Sequence, residues 1–251
     1  MPEWPLERIL DGVAAAGFRG IGLDVYTVGD HVASGGSLER LSGLLEARGL
    51  ACTDVGVLPV GSPGVLAAAE ELASLARATG ARVCLASHFV ATSQEQAKQE
   101  LESAAEVLAK AGVRIALEFV AYGVLRTLSE AIELCNAVGW QRCGLLVDTW
   151  HVFRGGEPFS LLRSLDGEQI AIVHVNDGAP NAEDDAVHEG RFGRLPVGAG
   201  AFPLAEFAAA LEATGYRGVI STEVLSAELR TKPPEDGARE LMRSLHESWP
   251  G

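Results

Sequence analysis

Short apolar runs of β-rich composition alternate with longer stretches of helical apolar spacing from one end of the chain to the other. The strand runs are residues 20–25, 51–58, 82–89, 114–120, 144–148, 170–176 and 218–224. Between them, residues 37–48, 65–79, 95–110, 129–138 and 204–214 repeat apolar residues at the three-to-four spacing of one helix face. Thr127 with Glu130, and Ser93 with Gln96, have capping-box spacing at helix starts. Four helical segments meet a glycine just before a strand, in "ARGLAC", "ATGARVC", "KAGVRIA" and "ATGYRGVI".

Strand and helix thus alternate in modules of roughly thirty residues, the size of a parallel βα unit. Such alternation predicts a parallel sheet, either doubly wound or closed into a barrel. No glycine-rich fingerprint follows an early strand, so a dinucleotide-binding sheet has no support. A TIM-type (β/α)₈ barrel suits a chain of 251 residues, and no linker divides residues 1–251 into more than one domain. Only seven strands are recognisable, because the chain opens directly on an amphipathic helix, "WPLERILDGVAAAG". The first strand of eight is therefore expected to be missing: either the barrel is open at that seam, or the chain begins downstream of its natural start.

Composition narrows the partners. A net charge of −14 repels phosphate backbones and anionic lipid surfaces, so neither nucleic acid nor a membrane is an expected partner. No apolar run approaches the roughly 18 residues of a membrane span. Met1-Pro2-Glu3-Trp4 does not open a signal peptide. Cys52, Cys84, Cys135 and Cys143 lack metal-type spacing and read as buried, reduced thiols of a cytoplasmic protein. Association into a homo-oligomer stays open.

The candidate chemistry sits at strand ends. "CGLLVDTWHVFRGG" closes an apolar run with Asp148 and places His151 three residues on. Ionisable groups there either cap the next element or build a site, and in a parallel barrel the carboxyl ends of the strands are where sites form. Glu118 in "RIALEFVAY", His174 in "IVHVND" and Glu223 in "VISTEVLS" occupy equivalent places on other strands. Taken singly, each has a structural explanation: a salt bridge for either glutamate, a helix cap for Asp148, a satisfied core histidine for His174. A common cause accounts for all four together. Three carboxylates and an imidazole suit one divalent cation with oxygen and nitrogen ligands, Mn²⁺ first, then Zn²⁺, Co²⁺ or Mg²⁺.

"ALEFV", "VDTWH", "HVND", "GRLPVGAGAFPL" and "GVISTEV" together resemble the xylose-isomerase-like sugar isomerase and epimerase superfamily, most of all its inosose (2-keto-myo-inositol) isomerases. The likeness is firm from about Arg114 to Leu225 and general before that. It implies a metal-dependent barrel whose ligands are Glu118, Asp148, His174 and Glu223. It implies that His151, of an Asp-x-x-His motif, contacts substrate. An extended strand would turn His151 away from Asp148, so this role requires the chain to bend after Thr149. Arg194 matches the arginine before the family's Gly-x-Gly turn, here Gly198-Ala199-Gly200, with Arg191 as the alternative if the match slips. Val197 and Asn176 depart from the proline and lysine often found there. His88, ending "LASH", is a further candidate for the substrate pocket.

The resemblance implies an isomerase or epimerase of a keto sugar or keto-cyclitol, working by proton transfer through an enediolate. Glu118 and Glu223 would remove and return the proton. The same site would serve a dehydratase of a cyclic keto-polyol or keto acid. A metal-dependent endonuclease of this superfamily would need more metal ligands and a cationic groove, against a charge of −14. A degenerate sugar-binding barrel would lack ligands, and all four are present. No phosphate cradle is evident, which favours an unphosphorylated polyol or keto sugar.

Overall fold

The computed structural model describes residues 4–250; the reading of Met1-Pro2-Glu3 as lacking a leader falls outside them. Seven strands form one sheet in sequence order: β1 (Gly20–Asp24), β2 (Ala51–Val60), β3 (Val83–His88), β4 (Arg114–Glu118), β5 (Cys143–Asp148), β6 (Ile170–Val175) and β7 (Ile220–Thr222). Every pairing is parallel. The sheet curls into a nearly closed barrel with the helices outside, the architecture that the βα alternation predicts.

Alternation along each strand divides its side chains between two environments. Ile115, Leu117, Leu145, Val147, Val173 and Val175 face the helices and belong to the main core. Each such aliphatic side chain contributes about 1.5–3 kcal/mol when fully buried. Ala116, Leu146 and Ile172 face inward, where with Val83, Leu85 and Ala171 they fill the lumen. Burial on both faces explains why these strands read as continuous apolar runs rather than alternating ones.

The helix-end glycines Gly49, Gly80, Gly112 and Gly215 all have positive φ, between 66° and 78°, as helix-terminating turns require. The capping box of Thr127 and Glu130 forms in full, and Ser93 caps its helix by accepting from the Gln96 amide. Residues 37–48 divide into a 3-10 turn, Leu38–Arg40, and a short helix, Leu41–Glu46. Helices also form at Val25–Ala33, Thr149–Gly155, Phe159–Arg163, Ala186–Phe192 and Pro234–Ser248. Most of these are too short for periodicity to reveal, and Ala186–Phe192 lies within the long segment after β6.

No strand joins β7 to β1 among the described residues, so the barrel has a seam with two free edges. Val219 and Ile220 are exposed there. β7 is shorter than the apolar run 218–224 suggests, because it has a partner on one side only. Glu223 lies just past its end, with its amide still donating to the Val175 carbonyl at 3.2 Å. The helices that precede β1 and follow β7, Leu6–Ala15 and Pro234–Ser248, pack on each other, with Arg8 Nη2 2.8 Å from Glu235 Oε1.

Candidate metal centre

The lumen parity that buries Ala116, Leu146 and Ile172 brings Glu118, Asp148 and His174 to the same side two residues later, at the carboxyl ends of β4, β5 and β6. Asp148 pairs in register with His174, and His174 with Ser221, which sets Glu223 beside them. One ligand atom from each of Glu118, Asp148, His174 and Glu223 lies within 4.8 Å of every other. Asp148 serves two purposes. Its Oδ1 caps the helix Thr149–Gly155, accepting from the Trp150 amide at 2.7 Å, and its Oδ2 faces Arg194.

That helix supplies the bend His151 needs. Its first turn carries His151 back over the lumen, where Nε2 lies 3.6 Å from Glu118 Oε1. The Ala121 amide donates to Nδ1 at 3.3 Å, and Arg194 Nη2, itself a donor, lies 3.4 Å from Nε2, so the two contacts compete for the ring's one acceptor nitrogen. Burial drives the imidazole down to about 4; Asp148 opposes this and Arg194 adds to it. His151 is therefore neutral, with Nε2 aimed into the site. Tyr122 and Trp150 enclose it, with ring centroids 5.8 and 5.1 Å from its own.

Arg194 is almost fully buried, and its Nη1 bridges Asp148 Oδ2 at 2.9 Å and Glu223 Oε2 at 2.8 Å. Asp177, beyond the end of β6, builds the loop that carries it. The Asp177 carboxylate accepts the amides of Gly178 (2.8 Å), Phe202 (2.9 Å), Gly200 (3.0 Å) and Gly198 (3.1 Å). Its backbone pairs with Leu195, the neighbour of Arg194. A second anchor is the buried ion pair of Arg154 with Glu189. Asn176 Nδ2 donates to both oxygens of Asp148 at 3.2 Å and to the Glu223 carbonyl at 3.1 Å. Ser87, in register with Glu118, donates to its Oε2 at 2.9 Å.

Two other candidates stand elsewhere. Arg191 is exposed on the helix Ala186–Phe192 and bonds to none of the four. His88 shares the outward parity of Cys84 and Ala86 on β3. It contacts Thr92 Oγ1 at 3.0 Å and lines a cavity of about 470 Å³ between the helices Gln94–Ala109 and Leu128–Val138. Of the residues not singled out from sequence, Asp54 offered a signal, an acid inside the run 51–58. Ser87 offered none.

Electrostatics pushes the two glutamates apart. Burial, and then the charges of Glu223 and Asp148, raise Glu118 to about 8. Burial opposes ionisation of Glu223 too, but His174 and Arg194 outweigh it and hold that carboxyl well below the usual range. Burial likewise opposes protonation of His174, yet Glu223 and Asp148 raise it to about 9. His174 Nδ1 is buried with no hydrogen-bond partner, 3.6 Å from Glu223 Oε1. Three carboxylates around one unsatisfied imidazole nitrogen form a donor set that fits a divalent cation of oxygen and nitrogen preference.

Fold and site together define a parallel α/β barrel with a candidate metal centre at the carboxyl ends of its strands. The chain belongs to the xylose isomerase-like TIM barrel family, whose family model matches residues 10–248. It is 34% identical over 148 residues to a 3-dehydroshikimate dehydratase of Pseudomonas aeruginosa, covering 58% of this chain and 23% of that protein. It is 32% identical over 153 residues to an inosose isomerase of Bacillus velezensis, covering 55% of this chain and 51% of that protein. The matched region thus spans about a quarter of one relative and half of the other. Among solved structures, the IOLI protein with a bound zinc atom superposes with a TM-score of 0.87 at 20% identity, over 97% of this chain and 92% of that one. A xylose isomerase domain protein from Alicyclobacillus acidocaldarius superposes with a TM-score of 0.80 at 27% identity, over 97% and 93%.

Proposed function

We propose that the protein is a divalent-metal-dependent isomerase or epimerase of an unphosphorylated keto-cyclitol or keto sugar. The observation that carries this reading is the convergence of Glu118, Asp148, His174 and Glu223, one ligand atom of each within 4.8 Å of every other, which puts two glutamates from separate strands at one centre. A proton transfer between adjacent carbons needs one group to take a proton and another to return one.

Glu118, Asp148, His174 and Glu223 would hold the cation, Mn²⁺ before Zn²⁺, Co²⁺ or Mg²⁺, which would supply Lewis-acid polarisation of a carbonyl and its neighbouring hydroxyl. Glu223 takes the proton from the carbon between them, and Glu118 returns one to the neighbouring carbon or the opposite face. His151 contacts a substrate oxygen through Nε2, and Arg194 fixes a hydroxyl or the developing enediolate oxygen. Tyr122 and Trp150 exclude water from one side. The zinc in the IOLI protein and the inosose isomerases among the relatives support this assignment. The four free, buried cysteines support a reducing compartment such as the cytoplasm.

A second reading, dehydration of a cyclic keto acid, is favoured by the likeness to the Pseudomonas dehydratase. Both begin with the same proton abstraction. The test is metal analysis of the purified protein, followed by incubation in deuterated water with a panel of inososes, keto sugars and 3-dehydroshikimate. Deuterium at the carbon next to a ketone, with an isomer as product, is expected. Loss of water would transfer the assignment to the dehydratase. No exchange with any ketone in the metal-loaded protein would remove both.

A further inference from the structure

Asp54 has no part in that mechanism, yet it is a buried acid inside the barrel. It lies on the lumen side of β2 with Gly56, whose missing side chain faces Leu85 of the lumen cluster. β1 makes room for it at Gly22, which presents no side chain. A Cβ at Gly22 would lie 2.5 Å from Asp54 Oδ1 and 2.9 Å from Oδ2, and one at Gly20 would lie 2.6 Å from Thr53 Cγ2. Thr53 Oγ1 donates to Oδ2 at 2.7 Å, while Oδ1 accepts no hydrogen bond from the described residues. A carboxylate kept in such a place costs several kcal/mol unless a positive or donating partner answers it.

Position identifies the partner: Asp54 from β2 and His174 from β6 are both buried and both face the lumen. Burial pushes the Asp54 carboxyl up, His174 draws it back down, and Glu223 pushes it up again; reciprocally, Asp54 helps to raise His174. His174 shares the lumen, and its ring has one nitrogen more than a cation at the quartet can use. Histidines that bind metals almost always donate their other ring N–H to a carboxylate, carbonyl or water, which fixes tautomer and orientation. Asn176 and Ser87 already hold Asp148 and Glu118, and no side chain yet described does the same for His174.

We propose that Asp54 is the positioning residue for His174, accepting a hydrogen bond from the ring nitrogen that the metal does not use, directly or through one water. Gly22 of β1 then admits this carboxylate beneath the site. The inference rests on the metal-centre reading and adds to it a residue from β2, outside the ligand strands.

The experiment is calorimetric titration of the metal-stripped full chain with Mn²⁺ and with Zn²⁺, as wild type and as Asp54→Asn. The variant should bind either cation about 10–100-fold more weakly, the usual cost of removing such a partner. Its metal-free form should melt within a few degrees of wild type, because asparagine keeps an acceptor oxygen for Thr53 and for the His174 ring N–H. A purely structural Asp54 predicts the reverse, a lower melting temperature with affinity within about two-fold of wild type, and that result overturns the proposal. A second measurement needs no variant. In the zinc-loaded wild type, the ¹⁵N spectrum of His174 should show one tautomer with an N–H proton protected from solvent; a freely exchanging proton overturns the proposal. Unchanged affinity in the variant beside tight binding by wild type removes Asp54's role alone, whereas a wild type that binds neither cation removes the metal centre as well.

Discussion

Removing one charge from the metal-free centre should make the protein more stable, and only at high pH. Glu118 is largely withdrawn from solvent beside Glu223 and Asp148; desolvation first, and then those two charges, raise its carboxyl from 4.5 to about 8. Each pH unit of that displacement disfavours the ionised form by about 1.4 kcal/mol, roughly 4–5 kcal/mol in all. The sign follows from proton binding. Between about pH 4.5 and about pH 8 the folded state keeps a proton on Glu118 that the unfolded chain has released. The stability due to this group is complete below the lower value and is lost as pH rises through the upper one. Glu118→Gln removes the titration but keeps an acceptor for Ser87, which donates to Oε2 at 2.9 Å. With relaxation of the neighbours allowed for, the variant should exceed metal-free wild type by about 3 kcal/mol near pH 9 and match it near pH 4. Urea unfolding of both proteins in chelator, across that range, reads the difference, which belongs to Glu118 together with the Glu223, Asp148 and His174 charges coupled to it. Saturating Mn²⁺ should reverse the order, because the cation needs the ionised carboxylate. Parallel curves for the two proteins at all pH values, or a variant less stable at alkaline pH, would refute the electrostatic description of the centre.

Three further outcomes are expected. Glu223→Gln should cut turnover by at least about 10² while metal remains bound, and Asp148→Asn should lose metal and activity together; a Glu223→Gln variant that still introduces solvent deuterium at the wild-type rate contradicts its role as base. His151→Phe should raise KM and lower kcat with metal affinity unchanged, and a loss of metal instead would mark it as a ligand. Asp177→Asn turns one acceptor into a donor facing backbone amides and should cost about 2–4 kcal/mol by urea denaturation. Gly200→Ala, whose Cβ would run into the Gly178 carbonyl and the Asp177 carboxylate, should likewise speed proteolysis between residues 179 and 185; full protease resistance in both variants would count against this anchor.

Much of the barrel was legible in the chain because it is written locally. Strands buried on both faces must be apolar throughout, and helices against them must repeat apolar residues every three to four positions. Glycines 49, 80, 112 and 215 mark helix ends because their positive φ disfavours other residues. Glu118, Asp148, His174 and Glu223 stood out for the same reason in reverse, as ionisable groups where such runs should remain apolar. Those signals need only the sequence, since each reflects the environment of its own strand or turn.

What the tertiary structure alone decided depends on distance between elements. Parity within β3 turns His88 towards the helix-layer cavity, and the Asp177 loop brings Arg194 rather than Arg191 over the carboxylates. No periodicity encodes that four amides from residues 178–202 converge on one carboxylate, or that Gly22 of β1 opens space for Asp54. The opposed protonation of Glu118 and Glu223 is likewise invisible in composition: two glutamates at the ends of similar strands differ only because His174 and Arg194 lie against one of them. The chain determines which groups reach the lumen; the barrel's tilt, register and loop closure determine which charges they meet, and burial there amplifies every ångström of that difference.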